Sequence, residues 1–165
     1  MIATINSKRL AVTTFSLLIL LTAACSKQPS AAIQPAQPSA ESFVSAGDYT
    51  VHYNAVRTDQ LTADIARAYG IERSKNKVLL NVAVINRSNG TETATEANIT
   101  VVARNLSNQV RDVPLRRITE TNATYYIGET DIGNGAETIV FEISAIPKGS
   151  TNTINAKLTR EFFAN

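Results

Sequence analysis

The chain has 165 residues, with 16 Lys and Arg against 14 Asp and Glu, one Cys and one His. A single cysteine excludes an intrachain disulfide, and a domain of this length buries enough surface to fold without one. Lys8 and Arg9 lie in an amino-terminal stretch without acidic residues, and beyond that stretch the charges balance. Balanced charge leaves no electrostatic footprint for nucleic acid, so we exclude nucleic-acid binding.

The first 24 residues have the three parts of a bacterial signal peptide. Lys8 and Arg9 form the positive part, residues 10–21 the apolar part, and residues 22–24 a cleavage site of small residues. The apolar stretch is shorter than the roughly 20 residues that a membrane-spanning helix needs. We therefore predict a leader that is removed.

The sequence Leu21-Thr-Ala-Ala-Cys25 resembles the lipobox of bacterial lipoproteins. That resemblance implies cleavage between Ala24 and Cys25, a diacylglycerol on the Cys25 thiol and a further acyl chain on the new amino group. Ser26, rather than an aspartate, follows the cysteine, which in Gram-negative lipoproteins implies export to the outer membrane, facing the periplasm. The alternative is an ordinary secreted protein that is cut after Ala24 and keeps Cys25 as a free thiol.

Residues 25–42 have the composition of a tether. Pro29, Pro35 and Pro38 alternate with Ala, Ser and Gln, and Ile33 is the only large apolar residue. Such a segment buries too little surface to offset its ordering entropy, so we predict disorder. Its average span is roughly 20–25 Å, from about 5–6 Å times the square root of its length. The domain would then lie near the membrane without resting on it.

From residue 43 onward, apolar and polar residues alternate as in half-buried antiparallel strands. Residues 78–85 are almost continuously apolar, as expected of a central strand that is covered on both faces. The predicted strands are residues 49–54, 78–85, 98–104, 110–118, 123–130, 139–145 and 154–162. This pattern predicts one all-β domain over 43–165, an immunoglobulin-like antiparallel β-sandwich of about seven strands with one short helix.

The helix is predicted after the first of these strands. Thr58 would cap its amino end. Leu61, Ile65 and Tyr69 repeat every four residues and so share one face. Gly70 would end the helix in the left-handed conformation. We expect this helix to close one end of the sandwich.

Residues 67–77 carry several Lys and Arg side chains around the end of the helix. A cationic loop suits an anionic ligand or an acidic protein surface. The candidate partner-binding residues are therefore Tyr69, Arg73, Ser74, Lys75 and Lys77. The alternative is a solvated loop that keeps the domain soluble.

Arg111, Arg116 and Arg117 form a second basic group, with Pro114 between them. Charges and proline together are typical of an edge strand that avoids pairing with other chains. We therefore interpret these residues as structural.

Residues of catalytic or metal-binding type are sparse. His52 is the only histidine, and there is no Gly-x-Ser-x-Gly elbow, no second histidine and no free cysteine to accompany it. Glu129 and Asp131 share a strand face, a spacing that often arises by chance. We predict no catalytic residue, no metal site and no cofactor.

Tyr125 and Tyr126 are adjacent in a predicted strand, so one ring lies on each face. We expect one ring to pack in the core and the other to lie at the surface, where a tyrosine suits a binding anchor.

Several segments together resemble an uncharacterised family of small exported γ-proteobacterial proteins, known as a domain of unknown function, DUF4426. The segments are Asp48-Tyr-Thr-Val-His-Tyr-Asn-Ala55, Ile65-Ala-Arg-Ala-Tyr-Gly-Ile71, Arg73-Ser-Lys75, Asn81-Val-Ala-Val84, Tyr125-Tyr126-Ile127 and Phe141. The resemblance implies export and a single β domain, and it carries over no catalytic or binding residue.

Our leading hypothesis is a non-enzymatic, membrane-anchored binding module of the cell envelope, whose partner is an envelope protein or an anionic ligand. The first alternative is a small envelope hydrolase that uses His52. The second is a structural subunit of an envelope assembly, which would bury a large apolar patch.

Overall fold

The structure is a computed structural model that describes residues 42–164. The predicted leader, the cleavage between Ala24 and Cys25, the lipid on Cys25 and the tether lie outside the described residues, except that Ser42 already belongs to a strand. The strands are β1 (Ser42–Ala46), β2 (Tyr49–Arg57), β3 (Lys77–Asn86), β4 (Thr93–Ala94), β5 (Ala97–Asn105), β6 (Val110–Arg111), β7 (Leu115–Thr119), β8 (Thr124–Asp131), β9 (Gly135–Pro147) and β10 (Ile154–Ala164). The helix α1 is Ala63–Ala68, and 3-10 turns occupy Thr58–Gln60 and Ser88–Gly90.

The strands form two antiparallel sheets. The first sheet has the order β1-β2-β3-β8-β7, with β4 paired to the end of β3, and the second has the order β10-β9-β5-β6. Their inner faces share one core, whose fully buried side chains include Val51, Val78, Leu80, Val82, Val84, Ile139, Phe141 and Ile143. The prediction of an all-β antiparallel sandwich is confirmed. The described residues form ten strands, however, rather than about seven.

The predicted alternation decides which side chains enter the core. In β2, Val51 and Tyr53 are buried in it, while His52 and Asn54 lie on the opposite, outer face. In β3, Leu79 is also buried, although it points away from the core, because a second apolar cluster covers it there. The prediction that this central strand is covered on both faces is confirmed at that position.

The predicted strand at 110–118 is in fact two strands in different sheets. β6 pairs with β5 in the second sheet, and β7 pairs with β8 in the first. Between them Val113 is buried in the core, and Pro114, which lacks an N–H, lies where the chain passes from one sheet to the other. Both strands are edges of their sheets, so the edge prediction is confirmed.

The helical segment begins later than predicted. Thr58 starts a 3-10 turn, and the cap of α1 is Thr62, whose hydroxyl accepts a hydrogen bond from the Ile65 N–H at 3.3 Å. Thr58 is not a helix cap, because its buried hydroxyl is bonded to the main chain of Ser74. Gly70 has φ +62°, so its predicted left-handed conformation is confirmed.

The helix also lies elsewhere than expected. Ala66 of α1 and Ile71 after it pack against Leu79 of β3 and Ile127 of β8. Leu79 and Ile127 belong to the outer face of the first sheet, since their strand neighbours Val78 and Tyr126 enter the core. The expectation that the helix closes one end of the sandwich is therefore wrong. It covers the outer face of the first sheet, because apolar side chains of the helical segment and of the sheet are buried against each other there.

Candidate functional site

An apolar cleft of about 330 Å³ lies between the helical segment and the outer face of the first sheet. Its lining contains no charged side chain, and its polar residues are two asparagines. The sheet contributes Asn54, Val56, Leu79, Asn81, Tyr125 and Ile127, and the helical segment contributes Leu61, Ile65, Tyr69 and Ile71. Concave, mainly apolar sites of roughly 300–1,000 Å³ with a few polar groups are typical of binding sites.

The helical wall of the cleft follows from the four-residue repeat. Leu61, Ile65 and Tyr69 all line the cleft, although only Ile65 lies within α1, since Leu61 precedes the helix and Tyr69 ends it. The wall is held in place by Ala66, which is buried on the side of α1 that packs against the sheet and whose carbonyl accepts a hydrogen bond from the Ile71 N–H at 2.8 Å. Ile65 remains 45% exposed, so the apolar lining reaches the surface.

Tyr69 ties the carboxyl end of the helical segment to the far edge of the first sheet. Its hydroxyl donates to Glu120 Oε1, and its carbonyl accepts a hydrogen bond from the Arg116 guanidinium on β7. The bond to Glu120, followed by partial burial, raises the pKa of Tyr69 above the ordinary value for tyrosine. One end of the cleft is therefore closed by contacts that do not depend on apolar packing.

A pair of asparagines forms the polar part of the cleft floor. Asn54 of β2 and Asn81 of β3 are directly opposite each other in the sheet. Asn54 Oδ1 accepts a hydrogen bond from Arg160 at 2.7 Å, and the same guanidinium donates to the carbonyl of Ala55 at 2.6 Å. Asn81 Oδ1 is buried and has no hydrogen-bond partner among the described residues.

A smaller depression of about 220 Å³ continues the cleft along β2 and β3. It shares both asparagines with the cleft, and its other outward-facing side chains are His52, Ala83 and Ile85. The ring of Phe43 lies 5.8 Å from that of His52, tilted by 37°. No serine, cysteine or carboxylate is among the described residues that line this depression.

The predicted partner-binding residues divide into two groups. Tyr69 lines the cleft, whereas Arg73, Ser74, Lys75 and Lys77 lie in and after the loop that leaves it. Arg73 donates to the carbonyl of Asp59 at 2.8 Å. Lys75 is exposed.

Ser74 and Lys77 are held by contacts within the domain. The main chain of Ser74 is bonded to Thr58, and its hydroxyl accepts from the Asn76 N–H at 3.1 Å. Lys77 Nζ lies 3.0 Å from Asp131 Oδ1, and the bond to this carboxylate, more than the attraction of nearby acids, raises the pKa of Lys77. Part of the positive charge that the sequence places in this loop is thus neutralised inside the domain.

The paired acids Glu129 and Asp131 lie beside Lys77 on the outer face of the first sheet, and the ion pair with Lys77 occupies Asp131. Within residues 42–164, no three His, Cys, Asp or Glu side chains come together in a way that could hold a metal ion. In the same range, no helix combines the length and hydropathy of a membrane span.

The two adjacent tyrosines lie as predicted, one on each face of β8. Tyr126 packs in the core, and its hydroxyl accepts a hydrogen bond from the Ala97 N–H at 2.7 Å. Tyr125 lines the cleft.

The sequence did not single out Leu79, Ile127 or the asparagine pair as site residues. The available signal was the uncharged outward face of 79–85, because an outer face usually carries polar or charged residues.

Comparisons with known proteins agree on one family. The profile described as "Domain of unknown function (DUF4426)" matches residues 43–165. Among solved structures, the chain is similar to a DUF4426 family protein from Pseudomonas aeruginosa PAO1, with 30% sequence identity and a TM-score of 0.64. The alignment covers 76% of this chain and 96% of that one. No curated protein matches the chain.

Proposed function

Since the chain belongs to the DUF4426 family, a domain of unknown function, we propose its role from the cleft itself. The protein is a non-enzymatic binding module that takes an apolar side chain of an envelope protein into the cleft between α1 and the first sheet. A lipid on Cys25 holds it at the outer membrane, facing the periplasm. The observation that carries this proposal is the uncharged, apolar lining of a cleft that opens to the surface.

The lining suits an apolar anchor residue of a partner. Burying such a residue removes both its own surface and that of Ile65 and Tyr125 from water, which is the main source of affinity at a binding hot spot. Asn54 and Asn81 make binding to the floor of the cleft directional. Their side-chain amides form hydrogen bonds only with donor or acceptor groups of the partner that are correctly placed. The cleft therefore favours a partner that offers an apolar side chain next to polar main-chain groups over a partner surface that is apolar throughout.

The membrane anchor is supported by the lipobox at Leu21-Thr-Ala-Ala-Cys25 and by Ser26 after it. Confinement to a membrane increases the effective concentration of the domain for any partner in the same envelope layer, to the millimolar range for a short flexible linker. A cleft of modest size is then sufficient for occupancy.

Arg73 and Lys75 complete the proposed contact surface. Both follow Ile71, which lines the cleft, and both side chains are exposed. Acidic groups of the partner beside its apolar anchor would be attracted to them, which increases the association rate more than the final affinity.

The test is site-specific photocrosslinking in intact cells from position 65. Position 102 is the matched control, since Val102 is an aliphatic residue with 37% exposure on the outer face of the second sheet. We expect position 65 to crosslink to one envelope protein through an apolar residue of that protein, and position 102 to give no such product. Identical products from both positions, or none from position 65, would contradict the proposal.

The double variant Arg73→Glu, Lys75→Glu tests the loop separately. We expect it to lower the crosslinking yield from position 65 severalfold while the circular dichroism of the sheets shows that the domain is still folded. An unchanged yield would remove the loop from the contact surface and leave the cleft as the only binding element.

A further inference from the structure

Phe43 is the most exposed phenylalanine of the described residues, at 61%, and Phe163 follows at 51%. Phe43 is the second residue of β1, the edge strand of the first sheet, and Phe163 lies near the end of β10, the edge strand of the second. An exposed aromatic ring keeps a large apolar surface in water, which is unfavourable. Two such rings on one edge therefore indicate an interaction surface.

The two edge strands lie side by side, so both rings belong to one edge of the sandwich. β1 and β10 are in contact, although they belong to different sheets. Phe43 is paired with His52 and points to the outer face of the first sheet, while Phe163 alternates with the buried Phe162 and points to the outer face of the second. The rings therefore flank this edge, which we name the β1–β10 edge.

A positive charge lies on the same edge. Arg160 of β10 reaches across to the first sheet, where its guanidinium donates to Asn54 and to the carbonyl of Ala55. These acceptors are neutral, so its charge is not cancelled by them. Two exposed aromatic rings and an arginine on one edge are a combination suited to the headgroup region of a membrane, where aromatic rings and basic side chains are favoured.

The position of the amino-terminal segment points to the same edge. The described domain begins at Ser42, the residue before Phe43. Only 16 residues separate it from Cys25. With a lipid on Cys25, a flexible segment of this length holds the edge at an average distance of roughly 20–25 Å from the anchor. The membrane is thus the surface that the β1–β10 edge meets most often.

We propose that the β1–β10 edge rests on the bilayer that holds the lipid anchor, with Phe43 and Phe163 inserted among the headgroups. This inference rests on the lipid anchor of the proposed function and replaces the expectation that the domain lies near the membrane without resting on it. Because the cleft lies on the outer face of the first sheet and not on this edge, the docked domain keeps the cleft open toward the periplasm. The anchor and the edge together fix the orientation in which the cleft is presented.

The experiment uses the lipidated mature protein in vesicles of phosphatidylethanolamine and phosphatidylglycerol whose acyl chains are brominated. Cys25 is the only cysteine, and its lipidated form is a thioether, so the mature protein has no free thiol. An environment-sensitive dye can therefore be attached to a cysteine introduced as Ser45→Cys or, as the control, Val102→Cys. Ser45 is an exposed residue of β1 on the same face as Phe43, and Val102 lies on the second sheet away from the edge. Flotation of both proteins with the vesicles is measured first.

We expect the dye at position 45 to be quenched by the brominated lipid at least threefold more than the dye at position 102. The further change Phe43→Ser with Phe163→Ser should abolish that difference without loss of the circular dichroism of the sheets. Flotation with equal quenching at both positions overturns this inference and leaves the anchor intact. Failure to float overturns the anchor and this inference with it. A crosslink from position 45 to a protein, without quenching, assigns the edge to a protein partner and overturns it as well.

Discussion

Thr58 and Ser74 exchange two hydrogen bonds across the start of the helical segment. The buried Thr58 hydroxyl donates to the Ser74 carbonyl at 3.1 Å and accepts from the Ser74 N–H at 2.8 Å. One side chain thereby satisfies both main-chain groups of a residue 16 positions away. This contact joins the beginning and the end of the segment that forms the wall of the cleft.

Replacing Thr58 by Val should lower the free energy of unfolding by about 1–3 kcal/mol, because it leaves the Ser74 N–H without its partner and the Ser74 carbonyl with only the Asp59 N–H, at 3.3 Å. Thr58→Ser keeps the hydroxyl and removes one methyl group, so its loss should be nearer to about 1 kcal/mol. Urea denaturation of the two variants and the wild type measures the difference. Equal losses would show that packing, and not the hydrogen bonds, holds this segment.

Replacing Gly128 by Ala should destabilise the domain by about 1–3 kcal/mol, since the core is overpacked by an added methyl group. A Cβ at this position would lie 2.9 Å from side-chain atoms of Leu115 and Val113 and 3.0 Å from the Pro114 carbonyl. The chain crosses between the sheets at these residues and has little freedom to move away. Gly133→Ala is the control, because its Cβ would meet only Glu137, at 3.5 Å. Equal thermal midpoints of the two variants would contradict this interpretation.

Glu137 should make stability depend on pH in the acid range. Burial of this side chain, which is 13% exposed, disfavours its charge, but hydrogen bonds from the Gly133 N–H, Arg111 and Asn105 outweigh that effect and lower the pKa of Glu137. A carboxylate with a lowered folded-state pKa contributes stability that is complete above its unfolded-state pKa. That contribution is lost as the pH falls through the folded-state pKa.

The variant Glu137→Gln should therefore be less stable than the wild type at pH 7, by about 1–3 kcal/mol. Below the folded-state pKa of Glu137 the two proteins should converge. Free energies of unfolding measured across this acid range give the comparison. A difference that stays constant with pH would rule out the ionised carboxylate as its source.

Tyr69 should titrate above the ordinary pKa of tyrosine because of its bond to Glu120. The raised pKa means that this bond stabilises the fold below the ordinary pKa of tyrosine, and that the stabilisation is lost as the pH rises through the folded-state pKa. The ultraviolet titration of the wild type minus that of Tyr69→Phe isolates the phenol. In Glu120→Ala the same difference spectrum should move to lower pH. An unmoved spectrum would show that Glu120 does not hold Tyr69 in solution.

Local patterns in the sequence determined a large part of this protein. The alternation in 49–54 and 154–162 specified which side chains enter the core, because a strand points successive residues to opposite faces. The four-residue repeat of Leu61, Ile65 and Tyr69 predicted three residues that line one cleft, and Gly70 ends the segment in the left-handed conformation that a residue without a Cβ adopts readily. These properties depend on neighbours in the chain.

Tertiary structure alone decided where those faces went. Nothing local distinguishes a helix over the end of a sandwich from a helix over its outer face, and the choice was made by Leu79 and Ile127 on strands that are distant in sequence. The same holds for Lys77. The sequence suggested that its charge is available to a partner, but in the fold Asp131 of β8 lies opposite it and forms an ion pair with it. The cleft exists because burial of apolar surface depends on which elements meet, and that is a property of the whole fold.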